Sequence, residues 1–551
     1  MLIYVYSDTV PNISNIFIHK HKSHPSIISI TRQFGNSQNV FSFHCVKNDE
    51  VEKVLTTLDN KKAPGHDGLQ AKFLKAAGCS IIGPLCDIFN TCIKRNLFPA
   101  ELKKADISPL FKKSDCMNKV NFRSVNILPI LSKLYEKILG SQITDYFMDK
   151  MHMSVSAYRK GYSCQHVLIH LTEFWRQALD NGEKVAMVAM DLSKAFDCMP
   201  HGLVIAKLKA YGFSSDACNL IMTYLHNRHQ RVKIDGSVSP WVSINRGVPQ
   251  GTVLGPLLFN IFLNDLFYVP MQSDIFNYAD DNTLSKSGIN CVNIIENDST
   301  AACEWFSNNY MSANPEKFQC MLMGEAREDS FSFKIERKQL HPVKQVKILG
   351  VNFDADMKFS SHISVICSKA SRQLNVLKRL SRFLDEKSRF AVYKSFMAST
   401  FEYCPVVWIF CGKANGRKLE RLHERALRFI YKDNVSTYDT LLEKSNMLPL
   451  GLLRLRYLVI EVFKCINGMN PTYLSDMFTI KEQPYNMRDQ MTVFLPKFKT
   501  RTYGYRSFRY YGAKVWNSLP TNIKSATDIG TFKRYLDDFL CTAAAKDLVI
   551  F

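Results

Sequence analysis

The sequence predicts an α+β chain over its first two thirds and a mainly helical one after about residue 360. Three observations predict it. Val185 to Met190 is a short apolar run ending in Asp191, the pattern of a buried strand. Ile275 to Ser285 reads as strand, tight turn, strand. Ile363, Ile366, Ala370, Leu374 and Leu377 then keep helical spacing, with Lys369, Arg372, Lys378 and Arg379 off that stripe.

The elements follow in order. Residues 1–45 carry no sustained period and read as an N-terminal tail or linker remnant. A helix near 48–58 sets Val51, Val54, Leu55 and Leu58 on one face, behind Asn48 and Asp49 as caps. The Pro/Gly cluster from Ala63 to Gly68 is a turn, and a second helical stretch covers 70–95. A short strand from Asp106 to Leu110 precedes a basic turn and a helix near 131–139. Residues 164–180 and 201–227 are helical in pattern. Gln230 to Ile234 and Trp241 to Ile244 are two strands around a turn at Asp235-Gly236, and Leu254 to Leu266 is a helix. Further helices follow Asp385 and cover 417–432. No internal repeat is visible.

Composition narrows the function classes. The chain has 551 residues, with Lys+Arg 71 against Asp+Glu 50, a net charge of +21. That excess suits a polyanionic partner. The apolar runs fall short of the ~18–20 residues of a spanning helix, so no membrane association is expected. No secretory signal opens the chain. Sixteen cysteines contain no C-x-x-C pair, which argues against a zinc finger and for reduced thiols.

The chemistry gathers at three acidic positions. Asp191 ends the apolar strand, and Asp280-Asp281 sits at the hairpin turn. Carboxylates at the ends of buried strands are costly without partners. Divalent cations are suitable partners, because carboxylate oxygens are hard ligands. Two such ions ~3.5–4 Å apart clamp the attacking and leaving oxygens of a phosphoryl displacement. Each feature alone is also an ordinary helix cap or turn. Their combination with the loop Arg246 to Pro256, which holds Gln250, and with the cations of Pro109 to Lys113 and Arg123 points to triphosphate chemistry.

These blocks resemble the reverse transcriptases of non-LTR (LINE-type) retrotransposons of the jockey/CR1-like groups. They run Lys62 to Gly68, Ile107 to Leu134, Tyr158 to Ser163, Met190 to Pro200, Gly247 to Phe259, Tyr278 to Asp281, Asn314 to Lys317 and Ile348 to Phe353. The resemblance implies a right-hand polymerase with fingers, a palm carrying an antiparallel sheet, and a helical thumb. It implies RNA-directed DNA synthesis on an RNA template from a DNA primer and dNTPs, with two Mg²⁺ ions (or Mn²⁺). Asp191 and Asp280 would bind both metals, with Asp281 supporting them. Lys112 and Arg123 would hold the triphosphate, Gln250 would cover the incoming nucleotide, and Phe196 would be the steric gate against a ribose 2′-OH. Lys317 would lie near the pyrophosphate leaving group, Tyr278 beside the primer end, and Gly350 in a primer-grip hairpin. On the residues alone, Lys112 and Arg123 read better as solvated surface cations; Lys317 also fits a solvated face, Phe196 a core aromatic and the Gly350 block an ordinary hairpin. One departure stands out: Ser124 occupies the place of the family's Pro after Arg123, which removes a φ constraint from that loop.

Between Gln490 and Thr527 there is no acidic residue. Lys497, Lys499, Arg501, Arg506 and Arg509 alternate with Phe498, Tyr503, Tyr505, Phe508, Tyr510, Tyr511 and Trp516. Cations for phosphates and aromatics for base stacking fit a nucleic-acid contact; a core segment with a basic rim fits equally. The expected division is a tail over 1–45, reverse transcriptase fingers and palm over 46–360, a helical thumb-like region over 361–435 and a basic, aromatic C-terminal region over 436–551. No endonuclease segment is expected before the first block, so the chain reads as a polymerase fragment or truncated copy. A catalytically silent nucleic-acid-binding relic is the alternative, with a group II intron maturase as a further one. The family's life cycle implies nuclear and cytoplasmic location. Oligomeric state is not legible.

Overall fold

In a computed structural model, the structure describes residues 20–35, 39–112, 115–193, 195–324, 332–335, 338–481 and 491–542. Much of the expected N-terminal tail, together with Lys113 and Lys194 of the quoted blocks, lies outside the described residues. The chain is mixed α and β and forms two compact units, neither contiguous in sequence. The first comprises residues 1–158, 192–271 and 301–314, and the second 159–191, 272–300 and 315–551.

The first unit is built on a sheet in which the strand Lys104–Phe111 is central. It pairs antiparallel with Phe122–Ile127 and parallel with Arg228–Ile234. Helices pack around it, among them Ile130–Tyr146, His201–Ala210, Ser215–Leu225 and Leu254–Leu263. The expected helix over 201–227 is two helices. Ser214 caps the second by accepting the Ala217 N–H at 3.1 Å, and the first ends at Tyr211 before Gly212, whose φ is +101°. The expected tail also contains structure: Pro25–Phe34 is a helix with Ile30 buried, started by Pro25 and by the His24 ring accepting the Ser26 N–H. Its short apolar run hid it from the periodicity.

A buried ion pair locks this unit. Lys207 Nζ lies 2.5 Å from Asp265 Oδ1 and donates to the Phe262 carbonyl at 2.8 Å, while Trp305 Nε1 donates to Asp265 Oδ2 at 2.8 Å. Burial pulls the Lys207 ammonium down to about 8 despite the raising effect of Asp265. Lys207→Met would strand a buried carboxylate, so a loss of about 3–5 kcal/mol is expected, read from the urea midpoint.

The second unit holds a four-stranded antiparallel sheet. Its order is Gln319–Met323, Val185–Ser193, Asp281–Ser287, Asp274–Tyr278. Val185 to Val188 are fully buried, which explains the unbroken apolar run. The helix Cys164–Asp180 packs on the sheet, and its buried Trp175 donates from Nε1 to Ser285 Oγ at 2.9 Å. The hairpin Gln345–Ile348 and Val351–Asp354 turns at Leu349 and Gly350, whose φ values of +44° and +84° are those of a tight two-residue turn. Helices then dominate, including Ser360–Leu380, Lys413–Tyr431, Leu450–Ile466, Phe508–Ser518 and Ile529–Leu540. One hydrophobic core runs from Val167 to Leu540. The boundaries expected at 360 and 435 therefore fall inside a single packed body. No single helix among the described residues is long and apolar enough to cross a membrane.

Candidate active site

The carboxylates lie at one end of the second unit's sheet. Asp191 is in register with Asp281, and Asp281 with Tyr278, so the three form a row across neighbouring strands. Such cross-strand partners share a face with Cβ atoms about 4.5–5.5 Å apart, and two like charges there repel. Ala279 and Asp280 form the two-residue turn between the strands, and Ala279 takes the left-handed conformation at φ +56°. Asp280 is half-buried and Asp281 exposed.

Lys317 answers part of the repulsion. Its Nζ lies 3.1 Å from Asp191 Oδ2. Both side chains are about half in water, at 55% and 43% exposure, so the pair is worth no more than about 1 kcal/mol and opens cheaply. The sequence alone did not join these two residues. Strand Gln319–Met323, which follows Lys317, pairs with the Asp191 strand, and that pairing joins them.

Two carboxylates facing each other at a solvent edge, with a third in the adjoining turn, suit a hard divalent cation. Among the described residues no group of three His, Cys, Asp or Glu side chains forms a ready cage. Mg²⁺ does not need one, since it commonly takes one or two carboxylates and completes its shell with phosphate and water. The donor set fits such an ion.

Tyr278 lines an open hollow of about 450 Å³ together with Tyr403, Arg456, Tyr457 and Lys464. Tyr403 also donates its hydroxyl to Leu349 O at 2.6 Å. A Cβ at Gly350 would come within 3.1 Å of the Tyr403 ring. The Gly350 hairpin is thus tied to a residue that shares the hollow with Tyr278.

The remaining candidates sit in the first unit. Phe196 stacks on Phe259 with centroids 4.2 Å apart and planes at 16°, and meets the Tyr158 ring edge-on. The ring is half-buried. The loop after Arg246 closes over it: Val248 N–H donates to Phe196 O at 2.9 Å and Gly247 N–H to Met199 O at 2.8 Å. A Cβ on Gly247 would lie 2.7 Å from Asp197 Cα, so only glycine permits this approach. Gln250 Nε2 lies 3.4 Å from Asp197 Oδ1, and Gln250 O accepts from the Asn126 backbone at 2.9 Å. Buried Glu136 accepts the N–H groups of Val253 and Leu254 at 2.7 and 3.1 Å, fixing the helix that follows. Gln250 is therefore held beside Phe196 and against the strand that carries Arg123.

Arg123 is exposed and pairs in register with Leu110. Exposed Lys112 continues that ladder by donating its N–H to Asn121 O at 2.8 Å, which brings both cations to one hairpin end. Ser124 lies within the ladder opposite Pro109, so strand pairing sets its φ where a proline ring otherwise would.

The C-terminal segment divides. Phe508, Tyr511 and Trp516 are buried in the core and unavailable for base stacking. Phe498, Tyr505 and Tyr510 pack on one another with centroids 4.6–5.6 Å apart. Lys497, Lys499 and Arg501 are exposed, whereas Arg506 and Arg509 are half-buried. Asp180 holds the segment in place: its carboxylate accepts the N–H groups of Lys499 at 2.9 Å, Thr500 at 2.6 Å and Gly504 at 3.2 Å. Partial burial pushes the Asp180 carboxyl up, but these bonds outweigh it and leave it below its ordinary value. Fully buried Glu173 caps the helix Phe508–Ser518 through the Phe508 N–H at 2.8 Å; burial pushes its own carboxyl up.

Residues 110–353 match a family model described as reverse transcriptase (RNA-dependent DNA polymerase). A probable RNA-directed DNA polymerase from transposon BS of Drosophila melanogaster is 27% identical over 404 residues, covering 70% of this chain and 44% of the relative. The RNA-directed DNA polymerase from mobile element jockey of the same species is 26% identical, covering 69% and 43%. A Pol polyprotein from the type-1 retrotransposable element R2 of Popillia japonica is 24% identical, covering 54% and 52%. The chain thus spans less than half the length of the first two. With its aspartate row on adjoining strands, this chain is similar over residues 110–353 to the reverse transcriptase family.

Proposed function

We propose that the chain is an RNA-directed DNA polymerase that extends a DNA primer on an RNA template during retrotransposition. The observation that carries this is the row Tyr278, Asp281, Asp191, with Asp280 in the adjoining turn and Lys317 on Asp191. The primer 3′-OH loses its proton and attacks the α-phosphorus of a dNTP; a new P–O bond forms, the α–β bond breaks and pyrophosphate leaves. Mg²⁺, or Mn²⁺, held by Asp191 and Asp280 with Asp281 in support, would supply Lewis-acid stabilisation of the charge on the phosphoryl oxygens. Lys317 leaves its weak pair with Asp191 to face the pyrophosphate. Lys112 and Arg123 hold the triphosphate, Gln250 covers the nucleotide, and the Phe196 ring occupies the space a 2′-OH would need. Tyr278 and the Gly350 hairpin hold the primer end. On this reading the first unit's sheet is the fingers, the four-stranded sheet the palm, and the helices from Ser360 to Tyr431 the thumb. The site of action is the nucleus, after synthesis in the cytoplasm.

Surface charge supports a nucleic-acid partner. The helix Lys413–Tyr431 exposes Lys413, Arg417, Lys418, Arg421 and Arg425. Its acids are already engaged. Glu420 accepts from Tyr438 Oη and from the Leu450 and Gly451 N–H groups at 2.7–3.1 Å, and Glu424 takes the Arg428 guanidinium at 2.7 Å. Arg417, Arg421 and Arg425 recur every four residues, about 6 Å along the axis. That is close to two steps of one nucleic-acid strand, about 6.8 Å. Replacing the three by Ala is expected to reduce the slope of log K against log salt for primer–template binding by about 2–3. An unchanged slope would remove this helix from the interface.

The test of the reading is Mg²⁺-dependent dNTP incorporation by the purified chain on an RNA template with an annealed DNA primer. Incorporation on RNA supports it. Salt-sensitive binding without incorporation would overturn it in favour of a binding relic.

A further inference from the structure

We propose that Asn277 and Asn282 are positioning residues that hold the Ala279–Asp281 turn in the arrangement that binds a divalent cation. The inference rests on the reading of Asp280 and Asp281 as the cation-binding carboxylates. The two asparagines face each other in register, one step inside the Tyr278–Asp281 pair. Strand alternation therefore turns them to the opposite face from the aspartate row. That face is the core: they are 1% and 2% exposed.

From there they reach the turn. Asn277 Nδ2 donates to Ala279 O at 2.8 Å and to Asn282 Oδ1 at 2.9 Å. Asn282 Nδ2 donates to Asp280 O at 3.3 Å. Both residues of the two-residue turn thus have their carbonyls held by side-chain amides from below. Ala279 needs such a hold, because a residue with a Cβ is disfavoured at φ +56°. On its other side Asn282 is the register partner of buried Met190, next to Asp191. The amide pair therefore bridges the two hairpin strands, with Asn282 on the strand that pairs with the one carrying Asp191.

Stability alone does not account for the pair. Asn277 Oδ1 is buried with no hydrogen-bond partner among the described residues, a cost that a leucine pair of similar shape would avoid. The orphan acceptor is tolerated because the amide's two donors are committed to the turn and to Asn282. These residues have the character of outer partners that orient metal-binding carboxylates without touching the metal.

The experiment is the double variant Asn277→Leu/Asn282→Leu, with wild type and Asp280→Asn/Asp281→Asn alongside. Mn²⁺ affinity is read by electron paramagnetic resonance, thermal midpoint by calorimetry, and kcat and primer–template KM by extension. The Mn²⁺ signal lost in the aspartate variant identifies the site. The leucine variant is expected to melt within about 4 °C of wild type. Its Mn²⁺ dissociation constant at that site should rise about 10–100-fold. Its kcat should fall with little change in KM. Should the double variant fail to fold, Asn282→Ala, which keeps the Asn277–Ala279 bond, is expected at the low end of that range. Unchanged Mn²⁺ affinity in a folded variant overturns the inference, as does wild type without the site. Affinity weakened in the leucine variant, beside a wild type that binds Mn²⁺ but never extends a primer, would keep the inference and overturn the polymerase reading.

Discussion

Asp280→Asn is expected to lower primer extension by at least about a thousandfold, some 4 kcal/mol of transition-state stabilisation, while primer–template affinity stays within about threefold. The substitution keeps the shape of the side chain and removes one negative charge and one hard oxygen. Fold disruption is not expected, because the buried asparagines hold the backbone carbonyls of Ala279 and Asp280, and the Asp280 carboxylate is half-buried beside solvent. What is lost is the negative field that would anchor a divalent cation opposite developing phosphoryl charge, which is the largest electrostatic contribution such a site makes. Asp281→Asn gives a useful contrast. The register puts Asp281, rather than Asp280, directly opposite Asp191. Asp281→Asn more damaging than Asp280→Asn would move the principal ligand to that cross-strand pair. Steady-state extension beside fluorescence anisotropy of the same primer–template separates chemistry from binding. An Asp280→Asn chain that still extends would remove Asp280 from the site.

Phe196→Ala is expected to cut discrimination between dNTP and rNTP, as the ratio of kcat/KM values, by at least about tenfold. That is roughly 1.4 kcal/mol and within the range steric selection in a pocket supplies. The ring can exclude a 2′-OH only if it cannot swing away. Stacking on Phe259, the edge contact with Tyr158 and the hydrogen bond from Val248 N–H to Phe196 O restrain it. Alanine also forfeits that stacking, so some stability goes with it. Phe196→Leu retains apolar bulk and is expected to fall between wild type and alanine in selectivity. Single-nucleotide incorporation of dATP against ATP measures it. Equal selectivity in wild type and both variants would leave Phe196 as a core aromatic only.

Much of this site was legible because its chemistry is written locally. The apolar run into Asp191 is a strand buried on the sheet, and the Tyr278 to Asp281 stretch is a two-residue turn between two strands. Both patterns depend on residues within a few positions of each other. The close approach of Gly247 to Asp197 was not legible, because the two residues lie far apart in sequence and meet only in the folded unit. The aromatic ladder after 490 was ambiguous for a physical reason. A ring suited to stack on a base is equally suited to a core, and burial took Phe508, Tyr511 and Trp516. The helix Pro25–Phe34 was missed because it buries only Ser26 and Ile30, too few positions for a clear period.

The sequence by itself determined most of the elements, the acidic strand end and turn, and the family resemblance. Tertiary structure alone decided which of these residues meet. Strand order brought Lys317 to Asp191, and register chose Asp281 as the partner of Asp191. Alternation turned Asn277 and Asn282 inward beneath the turn, and one continuous core made the helices from Ser360 to Leu540 part of the sheet's own unit. The reason is the range of the interactions. Propensity, capping and turn chemistry act over a few residues, whereas the Asp191–Lys317 pair spans 126 positions of chain and exists only once the sheet has closed.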